Sequence, residues 1–331
     1  MSDTEHANAE GRVAIRHVTL ADFLRENIIW VVLLIAVVAT SIVSPVFLDS
    51  RNILNILRQG ALLGIVAIGM TFALIGGAFD LSVGATMGLA TVIVIKANPA
   101  TLGSSMGVVV LALLAGLLVG VVNGILVGRF HTNSVVTTIG IRFVVWGVTL
   151  IYTRAQHVWA PDMFEPLKAL GTGNLWSIPI PVFVFLAVAA LGHLVFSRTT
   201  FGRYLYATGG NSTAARLSGI NTERIQLISY VLSGLGAAIA GVVIAARVQD
   251  VDPSFGIGRE FDALTAVVLG GTSLFGGRGS ASGTVAGVLL LGVLANAMTL
   301  LGISIHYQLM IKGLIVIVAV AADVLFRRKK D

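Results

Sequence analysis

The sequence predicts an all-α polytopic membrane protein of about ten transmembrane helices, eight to ten depending on how broken segments are counted. Three observations predict it. Of 331 residues, 56% are hydrophobic and only 11% charged, with a mean hydropathy of +0.92. An average soluble domain carries about a quarter charged residues, so this chain lacks the polar groups to cover a water-facing surface. The apolar residues fall in runs of about fifteen to twenty, too long and too continuous for the alternating strands of a β-barrel. Finally, Leu74-Ile75-Gly76-Gly77-Ala78-Phe79-Asp80-Leu81-Ser82-Val83-Gly84 places an acid and a glycine cluster between two such runs. A carboxylate there must face protein, water or an aqueous cavity, and glycines let helices turn and approach closely. That combination predicts a broken or re-entrant segment of the kind that lines transport routes.

The predicted crossings lie near 28–44, 60–77, 80–96, 105–127, 135–152, 181–197, 226–246, 262–277, 282–302 and 307–326. Residues 1–26 form a polar N-terminal tail of mixed charge, unlike a secretory signal. Residues 27–326 form the transmembrane domain and 327–331 a basic tail. Lys and Arg concentrate on the cytoplasmic side of membrane proteins. Arg129, Arg278, the tail and the 198–224 loop, with Arg198, Arg203, Arg216 and Arg224, share one side in a ten-span arrangement. This predicts both termini inside. It places outside the 153–179 loop and the acidic segment holding Asp250, Asp252, Glu260 and Asp262. The net charge of +6 is accounted for by these loops and points to no nucleic acid. Cysteine is absent, which excludes disulfides and thiolate chemistry.

Gly76-Gly77 with Asp80, Ser82 and Gly84 is echoed by Gly270-Gly271-Thr272-Ser273 and Gly276-Gly277. A parallel repeat explains the echo; shared glycine richness is the other explanation. Repeat interfaces are where pathways form, which makes these eleven residues the candidate pathway and broken-helix set. Asp80 reads best as a helix N-cap for the following span, beside the pathway rather than chemically active in it. In the 198–224 loop, Asn211 or Ser212 caps a short helix over Thr213–Ser218 that Gly219 stops. An ordinary positive-inside loop needs no such helix; a docking element does, with Ala214, Ala215 and Leu217 as an apolar knob. Arg142 and Lys312 interrupt apolar runs and are expected to snorkel toward the interfaces; His193 and Arg247 lie near span ends.

Gly77-Ala78-Phe79-Asp80-Leu81-Ser82-Val83-Gly84, the stretch from Phe201-Gly202-Arg203 to Leu217-Ser218-Gly219-Ile220-Asn221, and Leu264 to Gly279 together resemble the membrane subunits of ribose-type ABC sugar importers. Val122-Asn123-Gly124 and Val136-Thr137-Thr138-Ile139-Gly140 extend the resemblance, which covers roughly 28–326. Phe79 departs from the expected isoleucine, and the N-terminal tail is outside the shared pattern. The resemblance implies a bacterial inner-membrane permease for a monosaccharide or polyol, working as two copies or with a related permease. It implies a cytoplasmic ABC ATPase that docks on the 198–224 loop, at Gly202, Arg203, Asn211, Ala214, Ala215, Arg216, Leu217 and Gly219. It also implies a periplasmic sugar-binding protein. The chain has no Gly-x-x-x-x-Gly-Lys-Ser/Thr phosphate loop and no His-Glu-x-x-His, so neither ATP hydrolysis nor metal catalysis is expected of it. An ion-coupled secondary transporter is the alternative, but it needs a mid-membrane relay, and Asp80 is its one loose candidate.

Overall fold

The computed structural model describes residues 28–328; the predicted tail at 1–26 and residues 329–331 lie outside the described residues. The chain is helical almost throughout. The order is α1 (Ile28–Val43), α2 (Ser50–Ile75), α3 (Val83–Ala97), α4 (Leu102–Gly124), α5 (Ser134–Thr153), α6 (Glu165–Thr172), α7 (Ile180–Arg198), α8 (Thr200–Gly210), α9 (Ser212–Leu217), α10 (Thr222–Val248), α11 (Arg259–Leu269), α12 (Ala281–Leu300) and α13 (Ile305–Arg328). Six of these, α2, α4, α5, α7, α10 and α12, are long and apolar enough to cross a membrane; α4 counts with the π-turn Ile125–Arg129 that continues it. Ile28–Val43 and Val83–Ala97 are apolar but shorter, and the apolar stretch Ile305–Val318 belongs to the 24-residue α13.

Six long apolar helices and three shorter apolar stretches among the described residues leave the expected eight to ten crossings unconfirmed, and the largest departure from the expected spans is at 262–277. There α11 holds only 11 residues, about 16 Å of helix against a hydrocarbon core of about 30 Å. It stops at Leu269 because Gly271, at φ +84°, closes a left-handed turn in which the Thr272 N–H reaches back to the Val267 carbonyl (3.2 Å). At the other extreme α2 starts at Ser50, ten residues before the predicted span. Asp49 caps it by accepting from the Arg51 N–H (2.8 Å), and its first turns carry Arg51, Asn52, Asn55, Arg58 and Gln59, which hydropathy alone does not read as membrane.

Helices α2, α3 and α10 form the centre. Residues Val83–Ile95 of α3 are all buried, and most of α2 beyond Gly60 is buried too. Close approach comes from small residues: Gly116 and Gly120 of α4 lie against Gly234 and Tyr230 of α10, and Gly69 of α2 against Gly236. A side chain at those crossings would overlap backbone. Leucines and valines of α1, α4, α5, α7 and α13 face outward, which suits lipid.

Two ends are distinguishable. At one, residues 76–82, 125–134, 198–224 and 270–280 gather: Gly128 lies against Glu223, the Ser134 hydroxyl accepts from the Phe79 N–H (3.2 Å), and the Gly277 N–H donates to the Ile75 carbonyl (2.9 Å). At the other, β1 (Val158–Trp159) pairs antiparallel with a second strand at Asp250–Val251, Val158 opposite Val251. The hairpin Asn174–Leu175 with Ile178–Pro179 lies there too, and Arg58 of α2 donates to the Asn174 side chain (3.1 Å). His157 sits between Asp250 (3.5 Å) and Asp252 (3.4 Å) on this end. The Ser254 N–H on Asp252 (2.7 Å) holds that carboxyl below its usual range.

Candidate functional site

A cavity of about 330 Å³ lies within the helix bundle toward the strand-bearing end. Leu62, Leu63 and Val66 of α2, Met87 of α3 and Val288 and Leu291 of α12 make an apolar wall. The polar wall is Gln59, Arg247, Arg259, Asp262 and Lys312, drawn from α2, α10, α11 and α13. Asp262 is the hinge of this wall. Its Oδ1 takes the Lys312 ammonium at 3.0 Å and its Oδ2 lies 3.6 Å from the Arg259 guanidinium. Phe255 lines the same space from the segment between the Asp250–Val251 strand and α11. That segment folds inward: the Phe255 carbonyl abuts Gly88, and the Gly256 backbone abuts Gly84.

Beside the cavity lies a second charge pair. Glu260 has no exposed surface, and its Oε1 lies 3.1 Å from Arg142 Nε of α5, while its Oε2 accepts from the Gly258 N–H (3.0 Å). The expected snorkelling of Arg142 and Lys312 is thus corrected: each finds an acid on α11. Likewise Glu260 and Asp262 do not lie in an external loop, because the inward fold of 251–258 carries the start of α11 into the bundle. A charge removed from water needs such a partner, since an unpaired one there costs several kcal/mol.

Of the eleven candidate pathway residues none lines this cavity, and only Gly84, against Glu260 and Gly256, lies next to it. Gly77, Gly276 and Gly277 meet at one backbone crossing with Gly209 and Gly210 of α8, while Gly76 beside them lies against the Leu205 side chain. A Cβ on Gly276 would sit 2.6 Å from the Gly77 Cα, and one on Gly277 would sit 2.6 Å from the Gly210 Cα. Gly77 and Gly276 both have φ +82°. Gly76, Gly77, Thr208, Asn211, Gln226 and Phe275 surround a small hollow at this crossing. Gly270 packs on Gly283 of α12, whereas a side chain on Gly271 would meet nothing within 4 Å. Gly84 packs on Glu260; Thr272 and Ser273 are buried, Thr272 beneath Gly279.

Asp80 is buried at 1% exposure and does not cap α3. The N-cap position is Ser82, two residues on. Asp80 Oδ1 instead accepts from the Ser82 N–H (3.1 Å), the Ser82 hydroxyl (2.6 Å) and the Asn123 amide (3.4 Å), closing an Asx turn that aims the chain into the helix. The Tyr230 hydroxyl secures the same turn by donating to the Phe79 carbonyl (2.8 Å).

The 198–224 loop holds two helices where one was expected. The short helix is α9, capped by Asn211, which accepts from the Ala214 N–H (2.9 Å), and stopped by Gly219 at φ +84°. The unpredicted α8 is capped by Thr199, and Gly202 lets it press on the end of α7. Leu217 is 85% exposed and Ala214 is exposed, but Ala215 is only 5% exposed and belongs to the loop's own packing. Arg203 is exposed, and the Arg216 guanidinium donates to the Thr222 hydroxyl (3.4 Å).

A polytopic helical bundle with an internal cavity, a broken helix pair and a structured loop at one end is the build of a membrane transport permease. The chain belongs to the permease family described as "branched-chain amino acid transport system / permease component", matched over residues 52–320. It is 36% identical over 310 residues to the ribose import permease protein RbsC of Haemophilus influenzae, covering 93% of this chain and 96% of that one. It is 39% identical over 297 residues to the L-arabinose transport system permease protein AraH of Escherichia coli, covering 88% of each. It is 36% identical over 323 residues to the probable ABC transporter permease protein YphD of Escherichia coli, covering 96% of each. No solved structure matches the chain.

Proposed function

We propose that this chain is the membrane subunit of an ATP-driven, binding-protein-dependent importer of a monosaccharide, with the cavity as part of its route. The relatives named for ribose and L-arabinose import supply the substrate class. The observation that carries the mechanism is the backbone crossing of Gly77, Gly209–Gly210 and Gly276–Gly277. It sets the end of α8 against the turn that follows α2 and the loop between α11 and α12, and α2 and α11 line the cavity toward their other ends. On this account, movement of the 198–224 loop reaches the cavity through α2 and the 270–280 loop, with which it is in backbone contact. In this reading the loop faces the cytoplasm and receives the ATPase, both termini lie inside, the strand-bearing end faces the binding protein, and a second permease copy or a related one completes the pathway.

The energy source tests the function. With ATP held constant, uptake should be unaffected by a protonophore, and Asp80→Asn should transport nearly as wild type, because an amide oxygen can still accept from Ser82. Uptake abolished by the protonophore, with Asp80→Asn inactive, would instead identify an ion-coupled transporter. The docking role has its own test. Ala215 is buried in the loop, so the informative change is Leu217→Asp, which should cut co-purification of the ATPase about tenfold or more while permease levels hold. Undiminished co-purification removes α9 from the interface.

A further inference from the structure

We propose that Asp262, with Gln59 and Phe255, forms a recognition site for a hydroxyl-rich solute inside the cavity, in which the Asp262 carboxylate accepts hydrogen bonds from the solute's hydroxyls. The proposal rests on the importer reading above and gives its cavity a chemistry.

Three features converge. The lining combines polar groups, Gln59, Arg247, Arg259, Asp262 and Lys312, with a larger apolar set, and a sugar ring likewise combines hydroxyls at its edge with C–H groups on its face. The cavity is of a size for one small solute, at the lower end of the range for ligand sites. Phe255 provides an aromatic surface against which ring C–H groups can lie. Asp262 is fixed from two sides by Lys312 and Arg259, and its carboxylate is partly exposed to the cavity rather than sealed. Two carboxylate oxygens offer about four acceptor sites, and the two cations leave some of them free. Arg247, Arg259 and Lys312 against Asp262 leave the wall net positive. It therefore disfavours cations, and Asp262 is already neutralised against the ammonium of an amino acid. With Asp262 among the cations the wall offers an acceptor and donors together, and hydroxyls, which donate as well as accept and bring no charge, meet both.

The experiment uses proteoliposomes holding the permease with its ATPase, and the binding protein in saturating excess so that its own affinity does not set the rate. Uptake of labelled ribose and L-arabinose is compared with that of their deoxy analogues and of leucine. Wild type should carry a deoxy analogue about tenfold more slowly than its parent, the loss of one hydrogen bond to a charged acceptor. Asp262→Asn should slow the parent sugar and flatten that discrimination to within about twofold. If Asp262→Asn disturbs assembly, Gln59→Leu and Phe255→Leu, which break no ion pair, should still slow the parent sugar. Sugar uptake by wild type with unchanged rates and unchanged discrimination in all three variants overturns the recognition site alone. Uptake of leucine and of no sugar overturns the importer reading and this proposal together.

Discussion

The turns at Gly76–Gly77 and Gly270–Gly271 share one hydrogen-bond pattern and differ in what surrounds it. In each, the second glycine is left-handed, at φ +82° and +84°, and its N–H reaches back to the Leu74 or Val268 carbonyl at 2.9 Å. Around Gly77 the chain is packed backbone on backbone, against Gly209 and Gly276; around Gly271 there is open space. The preceding helices differ in the same sense. The 26-residue α2 is set in the core by apolar burial along most of its length, whereas the 11-residue α11 is tied to α5 and α13 by Glu260–Arg142 and Asp262–Lys312. One arm of the pair is a fixed post. The other is short: it is buried on Ala263, Ala266 and Val267, packed at Gly270 on Gly283 of α12, and tied by two ion pairs to α5 and α13.

Three substitutions break or sharpen that contrast. Gly276→Val should have the largest effect, since the side chain must enter the space of Gly77 at a backbone angle valine avoids. Monodisperse permease in detergent should fall at least about tenfold, and near-normal yield with normal uptake would show that the crossing is loose. Arg142→Met should follow, because it strands Glu260 without a counter-charge at a cost of about 3–5 kcal/mol. The melting temperature in detergent should drop, and Arg142→Met combined with Glu260→Gln should recover part of it; no recovery would mean that the two groups are not coupled. Gly271→Ala should do least. Its Cβ meets nothing, so the cost is the left-handed backbone alone, about 1–2 kcal/mol, and uptake should stay within about twofold of wild type. A loss as large as that of Gly276→Val would place an unseen neighbour at this turn.

Much of this was legible in the sequence, and the reasons are local. Hydropathy finds α4, α5, α7, α10 and α12 because length and apolarity suffice to define them. The Asn211 cap and Gly219 stop of α9 are read from residue type because capping is a near-neighbour matter. The glycine pairs were singled out for close approach, and Gly77, Gly276 and Gly277 do meet at the crossing, while Gly270 meets Gly283. What failed depends on long-range placement. Arg142 and Glu260 are far apart in sequence, so each read alone as a charge in search of water. The signal that could have found them is that two bases and two acids interrupt apolar segments and can pair off. The cavity was missed for the same reason: Gln59, Arg247 and Asp262 sit at span margins, where polar residues are ordinary.

The Arg142–Glu260 pair also has a consequence for how the protein is made. Helix α5 leaves the ribosome well before α11, with α7 and α10 synthesised between them. Throughout that interval the Arg142 guanidinium has no acid to meet, and α5 is a poor guest for lipid. The Arg142–Glu260 contact therefore forms only once α11 has been made, after α5 has met the membrane without it. The bundle is then completed by its last third rather than assembled in the order of synthesis.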